Sequence, residues 1–278
     1  MSHDIRRKIY RSYPHLLADI QSYGHLVEGT RISPTKELRG ATFVLTPGDM
    51  VKRPGFSKKL GWLELLHLLA GTFDQAHFKL VAPKIKEGFF TANMAYGPRV
   101  QPHLDKLSKM LIDDPFTRRA EVLIANNNFD NAGFPPPCTT SIHFLIRNER
   151  LLTFVEMRSW DAWLGLPYDI IMFGGLALAM ADVVDCPVGP LEVHASSLHL
   201  YERQFNIDPA TAFNVPNSFS VDVGYALESQ EQSLKGREHE EYPGVWDGIK
   251  AQAEADLAWL PWYTHVPMLI THQLPGDM

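Results

Sequence analysis

The apolar residues of the chain fall into alternating helix-like and strand-like segments. Between residues 5 and 23 they sit at Ile9, Tyr10, Leu16, Leu17 and Ile20, a spacing that predicts an amphipathic helix interrupted at Pro14. Residues 38–45, LRGATFVL, predict a strand that ends at Pro47 and Gly48. Residues 61–70, GWLELLHLLA, are apolar almost throughout and stop at Gly71, the pattern of a buried helix with a glycine C-cap. Glu64 then lies in an apolar helix, where a carboxylate is costly unless it is paired, protonated or turned to solvent.

The second half continues the alternation. Residues 89–99 predict an irregular loop and residues 101–112 a helix ended by Asp114 and Pro115. A strand is expected over 119–125, then a loop at Asn126, Asn127 and Asn128. Residues 141–146 and 151–157 predict two strands of a hairpin turned at Arg147-Asn148-Glu149-Arg150. Residues 168–184 predict a buried helix closed by Cys186-Pro187, and residues 190–205 a strand carrying His194, His199 and Tyr201. A last amphipathic helix is expected over 245–260, before a tail ending PGDM. No repeat or linker divides residues 1–278, so the mixed order predicts one α+β domain.

Composition narrows the functional classes. The chain has 278 residues, 45% of them hydrophobic and 21% charged, with two cysteines. That length buries a core without disulfides, so a reducing, cytoplasmic setting is expected. The N-terminus has no signal-peptide pattern, and no apolar run approaches the ~20 residues that span a bilayer. A net charge of −6 argues against a broad nucleic-acid surface, although Arg118 and Arg119 together suit one phosphate. A small anionic ligand fits better than a polyanion or a membrane.

Candidate chemistry concentrates between residues 134 and 170. Cys138 follows three prolines, which hold the backbone rigid where a strand begins. Nearby arginines would enrich its thiolate, making it a candidate nucleophile, whereas a small buried hydrophobe is the alternative. Cys186 is expected to be such a hydrophobe. No CxxC or HExxH pattern points to a metal site, and no glycine-rich phosphate loop points to a dinucleotide or nucleoside triphosphate. Residue types alone also allow a Cys-His hydrolase with His143, His194 or His199 as base.

Taken in order, ELLHLLAG with Glu64, AYG with Tyr96, DPFTRR with Arg118 and Arg119, PPC with Cys138, RSWD with Arg158 to Asp161, LGLPYD with Asp169, and SLHLY with His199 and Tyr201 resemble the thymidylate synthase superfamily. The resemblance is greatest to its bacteriophage deoxycytidylate hydroxymethylase branch, which points to a phage or bacterial source. It implies a mixed sheet layered with helices, in a homodimer packed sheet to sheet. It also implies a covalent adduct of Cys138 with C6 of a pyrimidine nucleotide, and 5,10-methylenetetrahydrofolate as co-substrate. By the same resemblance Arg158, Ser159 and the partner's twin arginines clamp the phosphate, with Arg31 as a further ligand. His199 and Tyr201 hold the sugar, Tyr96 lies at the substrate, Asp161 and Gly165 meet the folate, and Glu64 organises water and protons.

Asp169 departs from the asparagine that thymidylate synthases carry. An amide matches uracil, whereas a carboxyl group accepts from the cytosine amine and shares a proton with N3, so dCMP is the expected substrate. Water capture of the C5 methylene would give 5-hydroxymethyl-dCMP, and hydride transfer from the folate would give 5-methyl-dCMP. A catalytically inactive nucleotide- or nucleic-acid-binding member of the fold is the alternative from another class.

Overall fold

The computed structural model describes residues 8–30, 32–83, 94–125 and 136–216. Arg31, residues 89–93 of the expected loop, Asn126 to Asn128, the expected helix over 245–260 and the PGDM tail lie outside the described residues.

The elements run β1 (Ile9–Tyr10), α1 (Tyr13–Tyr23), β2 (His25–Val27), β3 (Thr35–Leu45), β4 (Met50–Lys52), α2 (Lys58–Ala70), α3 (Gln75–Val81), α4 (Gly97–Asp113) and β5 (Glu121–Leu123). Then follow β6 (Thr139–Arg147), β7 (Arg150–Met157), β8 (Trp160–Asp161), α5 (Leu166–Val183), β9 (Val188–Tyr201) and β10 (Phe213–Val215). The main sheet has the order β1-β3-β9-β7-β6-β5, with β2 added to β3 and β8 to β9. It is mixed: β7 and β8 run parallel to β9, and β1 to β3, while the other pairs are antiparallel. The expected α+β arrangement of a mixed sheet layered with helices is what the chain adopts.

Several elements follow directly from their residues. The β6–β7 hairpin turns through Asn148 and Glu149, both with positive φ, at 50° and 57°, the backbone that a two-residue primed turn needs. α2 ends on Gly71 at φ 71°, whose N–H reaches back to the carbonyls of His67 and Leu68. The N-terminal segment differs from expectation. Pro14 does not interrupt a helix but lies at the start of one, behind Ser12, whose Oγ accepts from the N–H of His15. Proline is pre-set for that first turn and has no N–H to leave unpaired there. Ile9 and Tyr10 instead pair in parallel with Thr42 and Phe43. Cys186 is only half-buried, its thiol turned to the Pro187 carbonyl.

The two faces of the sheet are unlike. On one, Ile142, Phe144, Val155, Met157, Leu191, Val193 and Ala195 are buried in the core, where α5 packs on β7 and β9 and α2 packs on α5. By length and composition α5 is apolar enough to cross a membrane, and here that apolarity is spent inside the fold, on a helix with buried residues on every side. The other face carries Leu145, Leu152 and Phe154, half-buried, beside a Glu156–His194 pair at 2.7 Å. These residues are neighbours across the ladder, with Leu145 opposite Leu152, Phe154 opposite Glu192, and Glu156 opposite both Ser141 and His194.

Candidate active site

Cys138 stands one residue before β6, in the bend that the preceding prolines enforce. Arg158, just after β7, holds that bend: its Nε donates to the Pro137 carbonyl at 3.0 Å and its Nη2 to the Pro136 carbonyl at 2.7 Å. The same Nη2 lies 3.9 Å from the Cys138 Sγ. Backbone pairing of the Arg158 N–H with the Cys138 carbonyl, 2.9 Å, locks the two segments together. Ser159 follows in the bend, half-buried.

Two carboxyl groups face the site from different helices. Glu64 is on α2 and Asp169 in the first turn of α5, and the two helices meet closely because glycines sit at their contacts. A Cβ at Gly61 would lie 2.6 Å from Ile171 Cδ1, and one at Gly175 would lie 2.4 Å from Leu65 Cδ2. Larger residues there would drive the helices, and so the acids, apart. Burial, and then the neighbouring Asp169 charge, push the Glu64 acid well above the usual carboxyl range. Glu64 therefore does not simply point into solvent. Burial raises Asp169 to about 7, against the stabilising N–H of Trp160 and with the Asp161 charge adding to the rise. Two raised carboxyls side by side keep a proton near neutrality, which is what general acid–base work requires.

Tyr96 lies just before α4 and accepts a hydrogen bond from the Thr139 N–H at 3.4 Å. Its hydroxyl is kept protonated by burial and by the charges of Asp169 and Cys138. Tyr96, Cys138, Glu64 and Asp169 thus form one electrostatically linked group, drawn from four parts of the chain.

Asp161 does a different task. Its Oδ1 accepts from the N–H groups of Trp163 and Leu164, each at 2.8 Å, and so builds the tight turn that leads through Gly165 into α5. Burial raises its acid, opposed by those N–H groups and by His199 and Arg203. His199 is directly opposite Asp161 in the β8–β9 pairing and meets Tyr201 edge to face at 5.0 Å. Sequence reasoning missed two supports of this region. Trp160 donates Nε1–H to Asp169 Oδ2 at 2.8 Å, and Arg53 bonds the Trp163 carbonyl while lying over the Trp163 ring. The tryptophan stood within the RSWD motif, but only the fold turns it toward a residue nine positions on.

Arg118 and Arg119 are not brought to Cys138. They are exposed, in the loop before β5, where the Phe144 N–H pairs with the Ala120 carbonyl. Cys138 is at the opposite end of β6, six strand positions away, or roughly 20 Å at the rise of an extended strand. The three histidines considered as hydrolase bases have other surroundings. His194 pairs with Glu156, and His199 lies by Asp161. His143 has its Nε2 buried without a hydrogen-bond partner among the described residues. No group of three or more His, Cys, Asp or Glu suited to a metal ion occurs among the described residues.

Residues 88–212 match the thymidylate synthase family model. The matched segment contains every site residue described above except Arg53 and Glu64, and the fold brings Glu64 to Asp169 independently of it. Over that segment, somewhat less than half of the chain, the protein is similar to the thymidylate synthases.

Proposed function

We propose that the protein is a dCMP hydroxymethyltransferase. The observation that carries this reading is the Asp169 carboxyl, enclosed beside Glu64 and raised to about 7 by burial, at the place where the thymidylate synthases it resembles carry asparagine. A carboxyl that keeps its proton near neutrality donates to the unprotonated N3 of cytosine and accepts from its amine. Uracil presents the reverse pattern.

In the proposed reaction the Cys138 thiolate adds to C6 of dCMP, and its electron pair passes through the ring to make C5 nucleophilic. The Asp169 proton, shared with N3, offsets the charge that develops in the ring. C5 attacks the methylene carbon of methylenetetrahydrofolate, the C5 proton is removed, and tetrahydrofolate leaves an exocyclic methylene on C5. Water held by Glu64 adds to that methylene, and expulsion of the Cys138 thiolate releases 5-hydroxymethyl-dCMP. Hydride transfer from the folate in place of water would give 5-methyl-dCMP.

Arg158 and Ser159 take the phosphate, Arg31 adds to them, His199 and Tyr201 take the sugar, and Tyr96 lines the base. Asp161 and Gly165 form the turn against which the folate rests. Arg118 and Arg119 reach the phosphate of a second copy, in a homodimer that covers the Leu145, Leu152 and Phe154 face of the sheet. Their exposure at the far end of β6 suits a role in trans. The Cys-His hydrolase is disfavoured because an arginine, Arg158, lies at the sulfur. Steady-state assays of Asp169→Asn test the base assignment: preference is expected to move from dCMP toward dUMP, and an unchanged preference contradicts it.

A further inference from the structure

The carboxyl group of Asp169 is held at one oxygen from two sides. Trp160 is 1% exposed and donates its indole N–H to Oδ2 at 2.8 Å. Gly165 lies under the same oxygen, since a Cβ built there would be 3.2 Å from Oδ2 and 3.4 Å from the Asp161 carbonyl oxygen. The backbone repeats the arrangement, with the Asp169 N–H donating to the Gly165 carbonyl at 3.1 Å. Oδ2 therefore has a fixed donor in front of it.

This matters because a neutral carboxyl group is chemically symmetric. Either oxygen can carry the proton, so a freely rotating acid offers O–H beside C=O in both orders. One order matches cytosine, and the other matches uracil. An aspartate alone thus separates the two bases poorly. An indole N–H can only donate, and an oxygen facing it is a good partner only while it offers a lone pair. Protonation of Oδ2 would leave the indole N–H facing a hydroxyl oxygen, a poorer acceptor than a carbonyl oxygen, so the proton is favoured on Oδ1.

We propose that Trp160 is a specificity-determining positioning residue, whose indole N–H confines the Asp169 proton to Oδ1 and so gives the carboxyl the polarity that accepts cytosine and rejects uracil. The proposal rests on the cytosine reading of Asp169. Discrimination comes here from a weakened hydrogen bond: with Oδ1 set at N3 of the base, the uracil pattern requires the proton on Oδ2, the oxygen that faces Trp160. Because Asp169 titrates near neutrality, the proton whose position is at issue is present under working conditions.

Two measurements test the clamp. The first compares kcat/KM for dCMP and dUMP in the parent protein and in Trp160→Phe, which keeps a large ring and removes the N–H. The dCMP-to-dUMP ratio is expected to fall about tenfold, mainly by a gain on dUMP, as loss of one hydrogen bond to an ionisable group implies. Equal losses on both nucleotides would mean that Trp160 only fills space, and would overturn the proposal. The second follows the indole N–H resonances of 15N-tryptophan-labelled protein with pH. The resonance perturbed by Asp169→Asn should titrate near neutrality in the parent and be flat in that variant; a resonance flat in both overturns the clamp even if Trp160→Phe does not fold. A parent that turns over neither nucleotide removes the cytosine reading and the base selection with it, whereas a titrating resonance beside an unchanged ratio leaves the cytosine reading intact and removes only Trp160's role.

Discussion

The proposed base side and phosphate side of the site are built on opposite principles. Around Asp169 the groups are half-buried or buried and come from one chain: Glu64 from α2, Trp160 from β8 and Tyr96 from just before α4. The phosphate side is open, with Arg158 exposed and braced on the carbonyls of Pro136 and Pro137, and with Arg118 and Arg119 exposed at the far end of β6. Enclosure is suited to fixing protons, because low dielectric turns small differences in hydrogen bonding into preference. Openness suits a doubly charged phosphate, which binds through guanidinium forks and enters from water. In the proposed reading, base choice is therefore complete within one copy, whereas phosphate binding is shared with a second.

The largest expected effect lies at the junction of the two sides. Cys138→Ala should lower turnover by about 10⁴-fold or more and abolish any covalent complex with nucleotide, as loss of a nucleophile does; denaturing mass spectrometry reads the complex. Trapped nucleotide on the variant would break the account of both sides at once.

Next come the exposed arginines. The double variant Arg118→Ala/Arg119→Ala should lose about a hundredfold to a thousandfold in kcat/KM for dCMP. Mixing it with Cys138→Ala should restore up to about a quarter of the parent activity, since half of randomly paired dimers are mixed and each of those has one complete site. No recovery on mixing would place the arginines in the same copy as Cys138 and remove the division between the two sides.

A smaller effect sharpens the enclosed side. Asp169 in the folded chain holds its proton up to about pH 7, against an ordinary value of 3.8. A raised carboxyl means that the folded state binds the proton more tightly than the unfolded chain does. The fold carries no penalty from this group below about pH 4, loses stability as pH rises toward 7, and bears the whole cost above it. Asp169→Asn should therefore be more stable than the parent at pH 8, by about 2–3 kcal/mol after allowing for the carboxyl's partial exposure, and nearly equal at pH 4. Thermal denaturation at the two pH values reads the difference. A gain that is the same at both would show that Asp169 ionises freely.

Much of the scaffold was legible because its signals are local. The turn at Asn148 and Glu149, the glycine after α2 and the apolar length of α5 each specify an element through neighbours in sequence. Pro14 misled because the same residue ends a helix from within and starts one from its first turn, and only the Ser12 cap distinguishes the two. In the site, Cys138 and Arg158 were visible as residue types in motifs. The Trp160–Asp169 bond was not, because it joins a strand to a helix turn across a bend that Asp161 shapes with its own backbone contacts. Neither periodicity nor spacing carries a contact of that kind. The separation of Arg119 from Cys138 likewise required the β5–β6 register.

The central claim is that a single carbon passes from folate to cytosine. Purified protein incubated with an equal mixture of dCMP and dUMP and with methylenetetrahydrofolate, followed by mass spectrometry of the nucleotides, tests it most directly. The account predicts that dCMP is consumed in preference and gains the mass of a hydroxymethyl group. A product formed from dUMP alone, or no change in either nucleotide, would contradict it.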